Sequence, residues 1–285
     1  MARPFQLIDV FGVAPFSGNP LAVVAAAEDL DTEAMQRITR WLNLSETTFL
    51  LPPRHAEADY RVRIFTLAHE LPFAGHPTLG TCHAWLAGGG QPRDPGRIVQ
   101  ECGAGLIPIR RDGDDGDGDR LAFAAPPLVR SGPVDDATLA EAAAVLRIDP
   151  ATIVEAQWAD NGPGWLAVML ASAEAVLALE PARAHDRRVD IGVVGPHAPG
   201  GEAAWEIRAL FSGAHGEIME DPVTGSLNAS IAQWLFASGR ATDRYVAAQG
   251  TRLGRTGRVH VERDAAGTIW IGGRTATLFS GTMAD

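Results

Sequence analysis

The chain has 285 residues, 46% of them apolar and 21% charged, the balance of a folded globular protein long enough for one large domain or two of usual size. A net charge of −11 argues against nucleic acid or an anionic membrane as partner, but leaves room for a locally positive pocket holding a small anion. No stretch has the apolar length of a membrane span, and Cys82 and Cys102 form neither a CxxC nor a metal-ligand spacing, which points to free thiols and a cytoplasmic setting.

The opening "MARPFQLIDVFGV" enters a strand pattern over 5–11 at once, without the layout of a signal peptide. A turn and a second strand follow in "SGNPLAVV". Residues 31–42 predict a helix, with Asp31 or Thr32 as cap and Met35, Ile38, Trp41 and Leu42 at helical spacing. Strands are expected at 45–53 and 59–67, a helix in "PFAGHPTLGTCHAWL" (72–86), and strands near 97–102, 105–110 and 120–124. The run "DGDDGDGD" at 112–119 has the composition of a hairpin tip. It is a poor calcium loop, because the twelfth position of an EF-hand starting at Asp112 is Phe123 rather than Glu.

After "APP" at 125–127 the pattern changes, placing a boundary near 124–130: an N-terminal lobe over 1–124 and a C-terminal lobe over 125–285, with the last strand able to cross back to the first lobe. Helices are expected at 136–147 and 172–179, and strands at 153–159, 164–170, "DIGVVG" and "AWEIRALF". A helix within "EDPVTGSLNASIAQWL" (220–235) runs on to Gly239, and strands at 258–263, 268–273 and 275–280 close the chain.

The two quoted helical stretches resemble each other. His76-Pro77-Thr78-Leu79-Gly80-Thr81 aligns with Asp221-Pro222-Val223-Thr224-Gly225-Ser226, each a polar residue, Pro, two residues, Gly and a small hydroxyl. The pattern reads as one lobe used twice. His76 and Asp221 are expected at the N-cap with Pro at N1, where its missing N–H removes no bond. Gly80 and Gly225 are unusual in early helical turns and suggest close approach by a ligand or another backbone. Neither helix carries Asp, Glu, Lys or Arg, over 77–87 and 222–238, so both should be buried on nearly all sides. The expected fold is α+β, with two pseudo-symmetric lobes, each a barrel-like mixed or antiparallel sheet around a central buried helix. Helix starts facing each other across the lobes would make a positively polarised cleft for a small anion.

Among candidate reactive groups, Glu46 in "NLSETTFLL" sits at the edge of an apolar strand, where desolvation would suit it to proton transfer; the residues alone favour slightly the plainer reading, an exposed Glu at a strand start. Asp221 should be ionised at a helix start and His76 neutral. Thr224 and Ser226 can hydrogen-bond a carboxylate or an amine, but no Gly-x-Ser-x-Gly elbow surrounds Ser226. "GAGLIP" at 103–108 is not a dinucleotide fingerprint, and there is no Walker loop or HExxH.

With these residues in hand, the chain resembles the PhzF-like isomerase family of phenazine biosynthesis, within the diaminopimelate-epimerase-like fold. The likeness runs through "DVFGVAPFSGNPLAVV", "LSETTFLLP", "ELPFAGHPTLGT", "MEDPVTGSLN" and "QGTRLGRTGRVHV" (249–261). It implies a homodimeric enzyme without metal or organic cofactor, in which Glu46 shuttles a proton between positions of a conjugated cyclic acid. His76 and Asp221 would complete the catalytic set, and Ser45, Gly75, Thr224, Gly225 and Ser226 would bind the small carboxylate substrate. Related epimerases place one cysteine on each helix start, and here Gly75 and Asp221 stand at those positions, which disfavours two-thiol chemistry. Ala68-His69 stands where family members often have Pro, and a local effect on that loop is expected. The alternatives are a racemase or epimerase with a second base, and a ligand-binding member of the fold without catalysis.

Overall fold

A computed structural model describes residues 2–111, 120–213 and 215–284, so the acidic run 112–119 lies outside the described residues. In chain order the elements are β1 (Arg3–Val10), β2 (Asn19–Val24), α1 (Thr32–Leu42), β3 (Glu46–Leu51), β4 (Tyr60–Thr66), β5 (Glu70–Leu71), α2 (Gly75–Ala87), β6 (Ile98–Cys102), β7 (Gly105–Arg111) and β8 (Arg120–Ala124). There follow β9 (Arg130–Pro133), α3 (Asp136–Leu146), β10 (Glu155–Asp160), β11 (Leu166–Met169), α4 (Ala173–Leu177), β12 (Asp190–Pro196), β13 (Trp205–Ser212) and β14 (Ile218–Asp221). The chain closes with α5 (Gly225–Ala237), β15 (Arg244–Gln249), β16 (Gly257–Arg263) and β17 (Ile269–Met283). The strands expected at 268–273 and 275–280 are one strand, which follows β1 through a register shift opposite Leu7 and Ile8.

The chain divides into two compact units, residues 1–124 with 272–285, and residues 125–271. In the first unit β1 pairs antiparallel with β17 and β2, β2 parallel with β3, and β3 antiparallel with β4. Strand β4 pairs antiparallel with β5 and parallel with β6, and β6–β7–β8 run antiparallel, with β8 returning to β17. Eight strands thus close a barrel. Helix α2 fills it, packing on β1, β2, β3, β4 and β8. An uncharged helix is what such a position demands, and Gly75 through Cys82 are all buried. Outside the barrel, α1 covers Phe49, Leu51 and Phe65 with Met35 and Ile38.

The second unit repeats the succession. Strand β10 pairs antiparallel with β11, β11 parallel with β12, and β12 antiparallel with β13. Strand β13 pairs antiparallel with β14 and parallel with β15, and β15 antiparallel with β16. Helix α5 falls where α2 falls in the first unit and packs on β10 and β16, with Gly225 to Ala232 and Trp234 to Phe236 buried. Helices α3 and α4 cover the outer apolar face formed by Leu166, Val168, Ile191 and Val193. The fold is mixed α+β with a central helix in each unit, as the uncharged helices imply.

The register corrects the alignment of the repeat. Glu46 pairs with Thr66 and Asp190 with Phe211; Phe65 pairs with Glu70 and Leu210 with Glu220. Equivalent positions are therefore Glu46 and Asp190, Glu70 and Glu220, Pro72 and Pro222, Gly75 and Gly225, and His76 and Ser226. The repeated pattern is Glu-x-Pro-x-x-Gly, and His76-Pro77 does not correspond to Asp221-Pro222.

Candidate active site

The helix starts are set differently from the expectation. Ala74 is the N-cap of α2, so His76 is the second helical residue and Pro77 the third. Proline is tolerated there because first-turn N–H groups have no intrahelical partner. Thr224 is the N-cap of α5, and Asp221 ends β14 instead of capping the helix. Neither Ala74 nor Thr224 gives a side-chain cap bond. Gly80 has a packing reason rather than a ligand one: a methyl group there would sit 2.5 Å from Leu21, against which α2 is pressed. Gly225 is the first helical residue of α5, not an interior one.

In the first unit, helix α1 ends at Asn43 in the left-handed conformation (φ 55°), and the link through Leu44 and Ser45 delivers Glu46 as the first residue of β3. Ser45 is half-buried beside it. A Glu46 carboxylate oxygen lies 3.5 Å from Nε2 of His76, with the Glu46 side chain 16% exposed and that of His76 3%. Asn19, the first residue of β2, brings its amide nitrogen to 3.3 Å from Nδ1 of His76. Burial pushes the His76 imidazole down to a pKa of about 3, so it is neutral at pH 7. The turn carrying Ala68-His69 is closed locally, both backbone N–H groups donating to the Thr66 hydroxyl.

In the second unit a polar cluster surrounds the start of α5. Gln249, fully buried at the end of β15, accepts from Thr224 N (3.0 Å) and Asn228 Nδ2 (2.8 Å) and donates to Thr224 Oγ1 (2.9 Å) and the Asp221 carbonyl (3.2 Å). Gly250 (φ 87°) lets this strand end approach the loop, since a side chain there would meet the Pro222 carbonyl. Because Thr224 Oγ1 accepts from Gln249, its own proton goes to Oδ2 of Asp221, at 2.5 Å. Thr224 thus holds Asp221 rather than reaching outward. Ser226 Oγ accepts from the Trp165 indole at 3.2 Å, and its carbonyl accepts from Asn161 Nδ2 at 2.9 Å. The Asn161–Trp165 loop is folded by Asp160, whose carboxylate accepts from Gly162 N and Gly164 N, each at 2.7 Å.

The sequence-derived site residues therefore fall into two groups, Ser45, Glu46, Gly75 and His76 in one unit and Asp221, Thr224, Gly225 and Ser226 in the other. Asn19, Asn161, Trp165 and Gln249 did not stand out in the sequence, although a lone Gln closing the apolar strand "YVAAQ" is a signal of a buried polar role. The cysteines offer no reactive thiolate: burial raises both thiols, that of Cys82 to about 12. Among the described residues no His, Cys, Asp and Glu cluster has the makings of a metal site.

A family model described as phenazine biosynthesis-like protein matches residues 8–281. The chain is 34% identical over 268 residues to the trans-2,3-dihydro-3-hydroxyanthranilate isomerase of Pseudomonas aeruginosa, covering 92% of this chain and 91% of that one. It is 32% identical over 298 residues to antisense-enhancing sequence 1 of Schizosaccharomyces pombe, covering 97% of each. Among solved structures, that of a predicted epimerase from Pseudomonas aeruginosa superposes with a TM-score of 0.80 over 99% of both chains, at 26% identity.

Proposed function

The chain belongs to the PhzC-PhzF, phenazine biosynthesis-like, family, and we propose that it is an isomerase that moves a proton on a small conjugated carboxylate, with Glu46 as the acid–base group. The observation that carries this reading is the 3.5 Å approach of the Glu46 carboxylate to a buried, neutral His76. Glu46 takes a proton from one carbon, the electron pair spreads into the conjugated carboxylate, and Glu46 returns the proton to another carbon. The bookkeeping of the step leaves redox state unchanged and needs no metal or organic cofactor. His76 polarises the substrate beside Glu46. The start of α5 offers backbone N–H groups, its dipole and the Ser226 hydroxyl to a carboxylate, and Asp221 accepts from an amino or hydroxyl group. A cytoplasmic homodimer is part of the same reading.

The test substrate is trans-2,3-dihydro-3-hydroxyanthranilate, on which the Pseudomonas aeruginosa relative acts by name. Incubated in D2O and followed by NMR, it should be consumed with deuterium entering at one ring carbon and part of the original proton retained. Failure to consume it removes the substrate assignment. A second reading, epimerase or racemase, has one observation in its favour. Asp190 occupies the position equivalent to Glu46, and burial raises its carboxyl against the lowering pull of Arg188. Two bases would wash deuterium in from both faces without moving a double bond.

A further inference from the structure

We propose that the second residue of each central helix is fixed as a hydrogen-bond donor by a buried partner, Asn19 for His76 and Trp165 for Ser226, so that both helix starts select substrate groups that accept, carboxylate or carbonyl oxygen. The selection of acceptors rests on the isomerase reading; the fixed polarity does not.

The Asn19 amide nitrogen can only donate, so Nδ1 of His76, 3.3 Å away, must accept. A neutral imidazole carries one proton, which is then on Nε2. That nitrogen is enclosed, makes no hydrogen bond among the described residues, and has the Glu46 carboxylate at 3.5 Å, beyond good hydrogen-bond length. In the other unit the Trp165 indole is a donor only, so Ser226 Oγ accepts from it. The Ser226 hydroxyl proton is then directed elsewhere, and no acceptor for it is found among the described residues, although Ser226 is only 6% exposed. Two buried donors without acceptors, at equivalent positions of a repeated element, are expensive to keep unless a ligand supplies the acceptor. Different residue types reach the same polarity by different partners. The shared property is therefore the direction of the proton rather than the identity of the side chain.

The first arm of the test reads the tautomer directly in the full chain labelled with 15N-histidine. Long-range proton–nitrogen correlation at neutral pH, with His76 assigned by the signal lost in His76→Gln, should find the His76 proton on Nε2. In Asn19→Asp, whose carboxylate can only accept, Nδ1 should gain a proton. A wild-type proton on Nδ1, or an unchanged pattern in Asn19→Asp, overturns the proposal. The second arm titrates benzoate calorimetrically. Ser226→Ala and Trp165→Phe should each weaken binding about fivefold, the equivalent of one hydrogen bond, and the double variant no more than either alone. Fully additive losses, or no benzoate binding to the wild type, overturn the role of Trp165 or the acceptor selectivity. Neither arm measures turnover, so failure of the Glu46 mechanism and failure of this inference are separable.

Discussion

At the starts of α1, α3 and α4 a side chain at the cap position, Asp31, Asp135 or Ser172, accepts a first-turn N–H, whereas α2 and α5 begin at Ala74 and Thr224 with no such bond. The first three helices lie on the outside of their sheets and are finished as elements of structure. The two central helices, buried and uncharged, leave that stabilisation unused, about 1 kcal/mol each. Thr224 makes the contrast plain, because it has a hydroxyl at a cap position and spends it on Asp221. Capping at α1, α3 and α4 is local chemistry for folding, and its omission at two equivalent buried places is what the proposed function accounts for with a bound substrate.

The largest expected effect comes from His76, a titratable group buried in the first turn of α2. Its folded pKa of about 3 lies below the usual 6.5, so the unfolded chain binds the proton first as pH falls. Stability from this group is fully present above about pH 6.5 and declines between there and pH 3, by at most about 1.4 kcal/mol per pH unit. Urea unfolding of His76→Gln across that window should show a flatter pH dependence than wild type; parallel curves would mean that His76 is not held neutral by burial. Next in size, Thr224→Ala removes one bond to Asp221 and leaves Gln249 short of a partner, with an expected loss of about 2 kcal/mol in chemical denaturation.

Smaller effects sharpen the contrast. Asp135→Ala should lower stability slightly while leaving kcat and KM unchanged, since α3 caps only itself. Ala74→Ser gives α2 the cap it lacks. It should gain about 0.5 kcal/mol in stability and raise KM, because the new hydroxyl accepts from the His76 N–H, Pro77 having none to give, and that N–H is one the proposed function leaves for substrate. A gain in stability with unchanged KM would assign the uncapped start of α2 to folding alone.

Much of this was legible in the sequence. The absence of charge over 77–87 and 222–238 identified both central helices, and Glu46, His76, Asp221 and Ser226 lie in motifs that single out helix starts and a strand edge. The alignment of the repeat was not legible. The loop joining β13 to β14 is longer than that joining β4 to β5, and a chance Pro after His76 mimicked the Pro after Asp221; only strand register separates the two alignments. Asn19, Trp165 and Gln249 escaped for another reason. Each acts across tens of residues, and a polar side chain whose partner is distant leaves no spacing to detect.

Whether the Glu46 carboxyl carries the proton is decided by Glu46→Gln, which keeps the size and polarity of the side chain and removes its basicity. On trans-2,3-dihydro-3-hydroxyanthranilate the variant should show kcat reduced about 1,000-fold, in the range set by general acid–base groups, with its thermal midpoint unchanged. Turnover at the wild-type rate would contradict the account.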